Sequence, residues 1–182
     1  MRLILAGAVT AAAAAAPAGA FAVDYLTVEQ AAQLMFPDAD RFEHREISLD
    51  AAQLQGLAAQ GVRGRSARWT VRVAQRAGAT LGYVVSDEVI GKFELISYAV
   101  GIDRDGAVKQ VEILSYRESH GGEVRLPAWR RQFVGKTEAS PLHVGDDIAN
   151  ISGATLSCTH LAEGVRRIVA VVALARRAGS LG

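Results

Sequence analysis

The stretch "KFELISYAVGIDRDGAVKQVEILSY", residues 92–116, contains two runs rich in β-branched and aromatic residues on either side of a turn sequence. The turn is Asp103-Arg104-Asp105-Gly106, which is of the kind that closes a β-hairpin. The acidic residues of the turn do not make a calcium loop, because the other ligand positions of such a loop are missing. The stretch therefore predicts two adjacent antiparallel strands.

The upstream sequence predicts two further strands and two helices. In "SARWTVRVAQR", residues 66–76, apolar and polar residues alternate with the period of a half-buried strand, and "TLGYVVSD", residues 80–87, follows as its partner. A capping box over residues 27–30 predicts the start of a short helix, and Pro37 marks its end. Residues 50–60 have the composition of a second helix.

The downstream sequence predicts a loop and two more helices. The glycine-containing stretch "RESHGGEVRLPAW", residues 117–129, is a loop, and Trp129 to Lys136 is a short helix. From Ser157 onward apolar residues recur at helical spacing, and Arg176 and Arg177 suit the negative end of the helix dipole. The sequence thus indicates the α+β class: an antiparallel sheet with flanking helices and a C-terminal amphipathic helix.

The N-terminus has the layout of a secretory signal peptide. Arg2 precedes an apolar segment, Leu3 to Ala16, and a small-x-small cleavage site follows, with Ala20 or Ala22 before the cut. A retained membrane anchor is the alternative, but the apolar segment is shorter than the roughly 20 residues that cross a bilayer. We expect residues 1–22 to be removed and residues 23–182 to form one exported domain, periplasmic or on the extracytoplasmic face of a membrane.

Composition limits the classes of partner and site. The chain has 20 Lys and Arg against 19 Asp and Glu, so loss of Arg2 leaves a neutral mature protein that does not favour nucleic acid. Its single cysteine, Cys158, cannot form an internal disulfide and is interpreted as a small buried residue. Four scattered histidines and one cysteine give neither a zinc spacing nor a haem attachment motif, so no metal is expected.

The tetrapeptide Ser152-Gly153-Ala154-Thr155 lies where the C-terminal helix begins. A helix start has unpaired N–H groups and the positive end of the dipole, so it attracts phosphate. Gly153 and Ala154 leave room for a bulky ligand, and the hydroxyls of Ser152, Thr155 and Ser157 are able to bond phosphate oxygens or, for one of them, to be esterified. The alternative from spacing alone is that Ser152 or Thr155 only caps the helix.

"SGAT" followed by Leu156-Ser157, just before a C-terminal helix in an exported chain, resembles the FMN-binding domain family. That family includes the flavin-carrying subunits of the sodium-pumping NADH:quinone oxidoreductase and of the Rnf complex. In the family, an exported, magnesium-dependent flavin transferase that uses FAD joins FMN through a phosphoester to the threonine of this motif. The resemblance implies that Thr155 is the acceptor and that FMN is covalently bound.

The resemblance extends from about Gly82 to Ala173. "GKFELISYAVGIDRDGAVKQVEILSYRESHGGEV" and then "QFVGK" are similar to the family's strand pair, its glutamate-containing glycine loop and its F-x-G-K segment. Lys136 is a candidate to approach the phosphate, and a solvated surface lysine is the favoured alternative. The residues implied to lie over or beside the isoalloxazine ring are Glu118, Ser119, His120, Gly121 and Gly122.

The chain departs from the family pattern at two places. The family usually has an aspartate six residues before the acceptor threonine, where this chain has Ala149, and Asn150 is positioned to supply part of the lost hydrogen bonding. After the glutamate of the glycine loop the family often has threonine and proline, where this chain has Ser119 and His120.

The resemblance implies an electron relay between membrane-bound or periplasmic redox partners, with no catalytic residues and no substrate turnover of its own, because the flavin supplies the chemistry. Tyr116 and Trp129 are candidates to pack on the flavin ring or are ordinary core residues. Two alternatives stay open. One is a cofactor-free binding or assembly module in which SGAT is only a helix cap, and the other is a hydrolase that pairs Ser152 or Thr155 with a histidine. The histidines of that alternative are His44, His120, His143 and His160.

Overall fold

The computed structural model describes residues 23–181, which form an α+β fold with an antiparallel sheet, as the sequence predicts. The predicted signal peptide, residues 1–22, lies outside the described residues. These residues contain six strands in the order β1-β6-β5-β4-β3-β2, and every neighbouring pair is antiparallel. The strands are β1 (Val23–Asp24), β2 (Arg41–Ser48), β3 (Arg68–Arg76), β4 (Ala79–Ile90), β5 (Leu95–Asp103) and β6 (Val108–Tyr116).

Within the described part of the chain, four α-helices accompany the sheet: α1 (Val28–Met35), α2 (Ala51–Ala59), α3 (Pro127–Arg130) and α4 (Thr155–Arg177). Capping boxes begin α1 at Thr27 and α2 at Asp50, so the first of these confirms the sequence prediction. Within residues 23–181, no helix is both long enough and apolar enough to cross a membrane.

The sheet has a separate apolar cluster on each face. The smaller cluster lies under α1, where Met35 and Phe36 pack on β4 and β5, and the close approach requires glycine. A Cβ at Gly82 would lie 2.6 Å from the Phe36 ring, and one at Gly101 would lie 2.8 Å from Met35 Sδ. The larger cluster covers the other face and includes most of α4. Cys158 is fully buried in it, which confirms its interpretation as a small core residue.

Several elements differ from the sequence prediction, and two of the differences have a clear physical reason. The short helix predicted for Trp129 to Lys136 is wrong in its bounds: α3 starts at Pro127, and a 3-10 turn, Arg131–Phe133, ends the helical segment. Pro127 fits the first position of a helix because that residue needs no N–H partner. Strand β2 is not predicted at all, because charged residues alternate with few apolar ones along it and only Ile47 is buried.

The strand register brings several chain segments to one end of the sheet. Ile90 at the end of β4 pairs with Leu95 at the start of β5, and Ile96 pairs with Tyr116 at the end of β6. The turn between β4 and β5 and the loop after β6 therefore lie at the same end. His160 on α4 joins them through a 2.5 Å hydrogen bond between its Nδ1 and the Ile90 carbonyl oxygen, which places the start of α4 there as well.

Candidate functional site

A cavity of about 520 Å³ lies at this end of the sheet. Volumes of this order are usual for sites that hold small organic ligands. Three segments form its walls: the β4–β5 turn, the loop after β6 and the start of α4. The lining residues are Lys92, Phe93, Glu118, Ser119, His120, Gly153, Ala154, Thr155, Leu156 and Ser157.

Thr155 is the first residue of α4, two positions earlier than the sequence predicts, and its side chain is exposed. The N-cap residue is Ala154, and no side chain caps the helix. The interpretation of Ser152 or Thr155 as a cap is therefore wrong, and with it the basis of the cofactor-free alternative. Instead, the Asn150 side-chain amide donates to Thr155 Oγ1 at 3.0 Å. The helix start keeps its positive dipole end and leaves the Thr155 hydroxyl open to the cavity.

The backbone at Ala149, where the family has aspartate, is held by two side chains. Trp129 Nε1 donates to the Ala149 carbonyl oxygen at 2.8 Å, and the Ala149 N–H donates to Gln132 Oε1 at 2.7 Å. Trp129 is buried and contacts Phe133 edge to face, so it is a core residue rather than a wall of the cavity. These bonds fix the segment from which Asn150 reaches Thr155.

The Glu118 carboxylate binds the β4–β5 turn. Its Oε1 accepts hydrogen bonds from three successive backbone N–H groups, those of Lys92, Phe93 (2.6 Å) and Glu94 (3.0 Å). Gly91 makes room for it, because a Cβ there would lie 2.5 Å from Oε1. Burial, the largest single influence, raises the pKa of Glu118, but the three N–H groups and the Lys92 charge outweigh it, so the pKa is lowered overall.

The rest of the glycine loop packs on α4. Gly121 has φ +79°, and a Cβ on it would overlap the Ala154 Cβ. Tyr116, which is buried, donates its hydroxyl to the His120 carbonyl oxygen and lies 3.5 Å from Ser157 Oγ. Burial is the main cause that raises the pKa of Tyr116. Tyr116 thus joins the loop to the helix and does not line the cavity.

Lys92 and Phe93 line the cavity, although sequence analysis assigns them no role. Phe93 is 73% exposed, and the Lys92 ammonium lies 4.9 Å from the centre of its ring. The signal in the sequence is an aromatic residue shortly before the apolar residues of β5. Aromatic residues favour β-strands, so the sequence suggests that Phe93 belongs to β5, whereas the structure places it in the β4–β5 turn.

Four residues named from the resemblance lie outside the cavity. Ser152 is exposed in the turn before α4, and Gly121 and Gly122 line a neighbouring pocket. Lys136 Nζ pairs with Asp147 at 2.8 Å. The Asp147 carboxylate is partly buried, which raises its pKa, but the Lys136 bond and two backbone N–H bonds lower it overall. The roles of these four residues toward a cofactor stay predictions.

Three of the four histidines, His120, His143 and His160, have partners other than the hydroxyls that a hydrolase would use. Among the described residues, none of the four is hydrogen-bonded to Ser152 or Thr155: His120 Nδ1 lies 2.9 Å from Ser119 Oγ, and His143 Nδ1 lies 3.2 Å from an Asp146 oxygen. A serine or threonine nucleophile needs an adjacent base, so this geometry does not favour a hydrolase. Over residues 23–181 no group of three or more potential metal ligands occurs.

The cavity lies at one end of an antiparallel sheet. The start of α4, which no side chain caps, the glycine loop after β6 and the exposed Phe93 meet there. Such a site suits a ligand with a phosphate and an aromatic ring. Residues 91–170 match the model of the FMN-binding domain, so the resemblance seen in the sequence is confirmed over this part of the chain. The match indicates FMN as the ligand.

The solved structures that are similar to the fold include two subunits of Na⁺-translocating NADH-quinone reductases. NqrC from Shewanella oneidensis has a TM-score of 0.53 and 16% identity over 76% of this chain and 82% of that one. The corresponding subunit of the Na⁺-translocating NADH-quinone reductase from Parabacteroides distasonis has a TM-score of 0.52 and 15% identity over 78% and 80% of the two chains. At these identities the likeness establishes the fold. No protein of curated function matches the sequence.

Proposed function

We propose that this chain is an exported flavoprotein that carries FMN as a phosphoester on Thr155 and relays electrons between membrane-associated or extracytoplasmic redox partners. The observation that carries the proposal is the position of Thr155. Its exposed hydroxyl opens into the cavity at a helix start that no side chain caps. The positive end of the α4 dipole is suited to stabilise a phosphate on that oxygen.

The residues around Thr155 fit FMN in both of its parts. The phosphate end would lie at the start of α4, where Asn150 orients the acceptor oxygen. The flavin ring would lie against the walls formed by the β4–β5 turn and the loop after β6. Attachment of FMN from FAD forms one bond, between Thr155 Oγ1 and the flavin-side phosphorus, and breaks the pyrophosphate bond. AMP leaves, and the threonine hydroxyl loses its proton. A flavin transferase is the partner for this step.

The protein supplies position and charge, and the bound flavin supplies the redox chemistry. A covalent tether keeps the cofactor with the protein outside the cell. The cation of Lys92 beside the cavity favours the more negative, reduced flavin and so raises its potential. The similar structure from Parabacteroides distasonis is a subunit of a larger reductase, which supports a membrane-bound partner for this chain. Export rests on the sequence of residues 1–22.

The test is the attachment of flavin to Thr155. The full chain is produced in an exporting host with and without a flavin transferase, denatured, separated on a gel and examined for flavin fluorescence. We expect a fluorescent band only with the transferase, and we expect Thr155→Val to abolish it, because valine has the shape of threonine but no hydroxyl.

Two matched variants serve as controls. Thr155→Ser keeps a hydroxyl at the same position, and Ser180→Ala removes an exposed hydroxyl beyond the opposite end of α4, away from the cavity. Both should retain the band. Persistence of the band in Thr155→Val would exclude Thr155 as the acceptor. A wild-type chain without any flavin, even with the transferase, would remove the proposed function itself.

A further inference from the structure

Phe93 is exposed to an unusual extent for an aromatic side chain. Its exposed fraction is 73%, and the other large apolar residues on the described surface lie between 41% and 55%. Removing a phenyl ring from water is favourable, so a phenyl ring presented in a cavity wall favours contact with an apolar or aromatic ligand.

The turn that carries Phe93 is held rigidly. Glu118 accepts hydrogen bonds from the backbone N–H groups of residues 92–94, and the Gly91 N–H donates to the Glu94 carbonyl oxygen at 2.8 Å. The Lys92 ammonium lies over the phenyl ring. A contact that is fixed before the ligand arrives loses less entropy when it binds. The Glu118 carboxylate thus holds the turn in a conformation in which the Phe93 ring is exposed.

Phe93 shares the cavity with Thr155, and Leu156, which is 46% exposed, also lines it. The apolar surface of the cavity is thus divided between the turn and the first residues of α4. Resting on the proposed function, we propose that Phe93 is the aromatic contact for the isoalloxazine ring of a flavin attached at Thr155. Flat aromatic ligands favour stacked or edge-to-face contacts with such a ring.

The experiment compares wild type, Phe93→Leu and the control Leu34→Ala, which removes a 55% exposed apolar side chain from α1 on the other face of the sheet. Covalent flavin is measured in the denatured protein, and the visible spectrum of the folded holoprotein is recorded. The protein made without transferase is titrated with free FMN. We expect Phe93→Leu to keep its covalent flavin, to show a spectrum closer to that of free FMN and to bind FMN roughly tenfold more weakly, as for loss of one aromatic stacking contact.

The outcomes separate the two proposals. If wild type carries or binds flavin and Phe93→Leu behaves as Leu34→Ala does in both the spectrum and the titration, Phe93 is not the ring contact, although the proposed function stands. If wild type neither carries nor binds flavin, the proposed function fails and this inference fails with it. A spectral shift and weaker binding in Phe93→Leu alone support the assignment.

Discussion

At the residue scale, the site depends on the missing side chain of Gly121. Its φ of +79° is one that L-residues avoid, and the loop after β6 touches Ala154 at this point. The contact joins the two cavity walls that carry His120 and Thr155. Gly121 is therefore required for two reasons: its left-handed backbone conformation and its close contact with Ala154. Substitutions are able to separate the energetic cost of each.

Gly121→Ala should lower the free energy of unfolding by roughly 2–5 kcal/mol, the summed costs of a left-handed conformation and of an overpacked contact. The added Cβ would overlap the Ala154 Cβ and lie 2.9 Å from the Tyr116 hydroxyl. Urea unfolding measures the loss. Gly78→Ala is the matched control, because Gly78 has φ +81° but a Cβ there meets nothing within 4 Å. It should lose only about 1–2 kcal/mol. Equal losses in the two variants would mean that the Ala154 contact contributes nothing.

At the scale of elements, a single carboxylate organises the β4–β5 turn. Glu118 follows β6, and the three N–H groups that it binds precede β5, so its side chain connects the ends of three strands. The family resemblance implies that this glutamate lies beside the flavin ring. The structure gives it a definite task within the protein, which is to hold the turn that presents Phe93.

Glu118→Gln should make the protein less stable than wild type at neutral pH, and the difference should disappear in acid. The folded pKa of Glu118 is lowered from its usual value of 4.5, so its stabilising effect is fully present above 4.5 and is lost as the pH falls through the lower folded value. Urea unfolding of both proteins across this range measures the difference. Asp147, whose pKa is also lowered, is present in both proteins and cancels. A difference that does not change with pH would show that the charge of Glu118 does not stabilise the turn.

At the scale of the whole molecule, a largely buried ion pair joins α4 to the sheet. Arg167 Nη2 lies 2.6 Å from Asp87 Oδ2, with side-chain exposures of 7% and 15%. The Tyr98 hydroxyl donates to the same oxygen at 3.2 Å, and burial, followed by the Asp87 charge, raises the pKa of Tyr98 well above 10.0. Thr155, the first residue of α4, lines the cavity. By holding α4 against β4, this ion pair therefore also helps to set the position of Thr155 in the cavity.

Asp87→Ala should cost about 3–5 kcal/mol of unfolding free energy, because it leaves the Arg167 guanidinium buried without a partner. The control is Glu138→Ala, which breaks a pair of the same length, 2.6 Å from Arg177, whose side chains are 55% and 45% exposed. That variant should lose no more than about 1 kcal/mol. Chemical denaturation measures both. Similar losses would contradict the role of burial.

Sequence patterns predict those elements whose structure depends on residues that are close together in the chain. The alternation in residues 66–76, the hairpin turn at Asp103 to Gly106 and the capping box at Thr27 each depend on neighbours in the chain, and the structure has all three. Strand β2 escapes prediction because it is an edge strand with charged residues on both faces, so its pairing with β3 leaves no apolar period in the sequence.

Local periodicity and one contiguous tetrapeptide are enough to specify the α+β class, the antiparallel hairpins, the long final helix and the motif that matches the FMN-binding domain. Tertiary packing is needed to leave the start of α4 without a side-chain cap and to place Asn150 beside the Thr155 hydroxyl. It is also needed to bring Phe93 into a wall of the same cavity. The bonds from Glu118 to residues 92–94 join positions that are 25 residues apart in the case of Phe93. Contacts of that range follow from how strands pair and how α4 packs, and no local pattern encodes them.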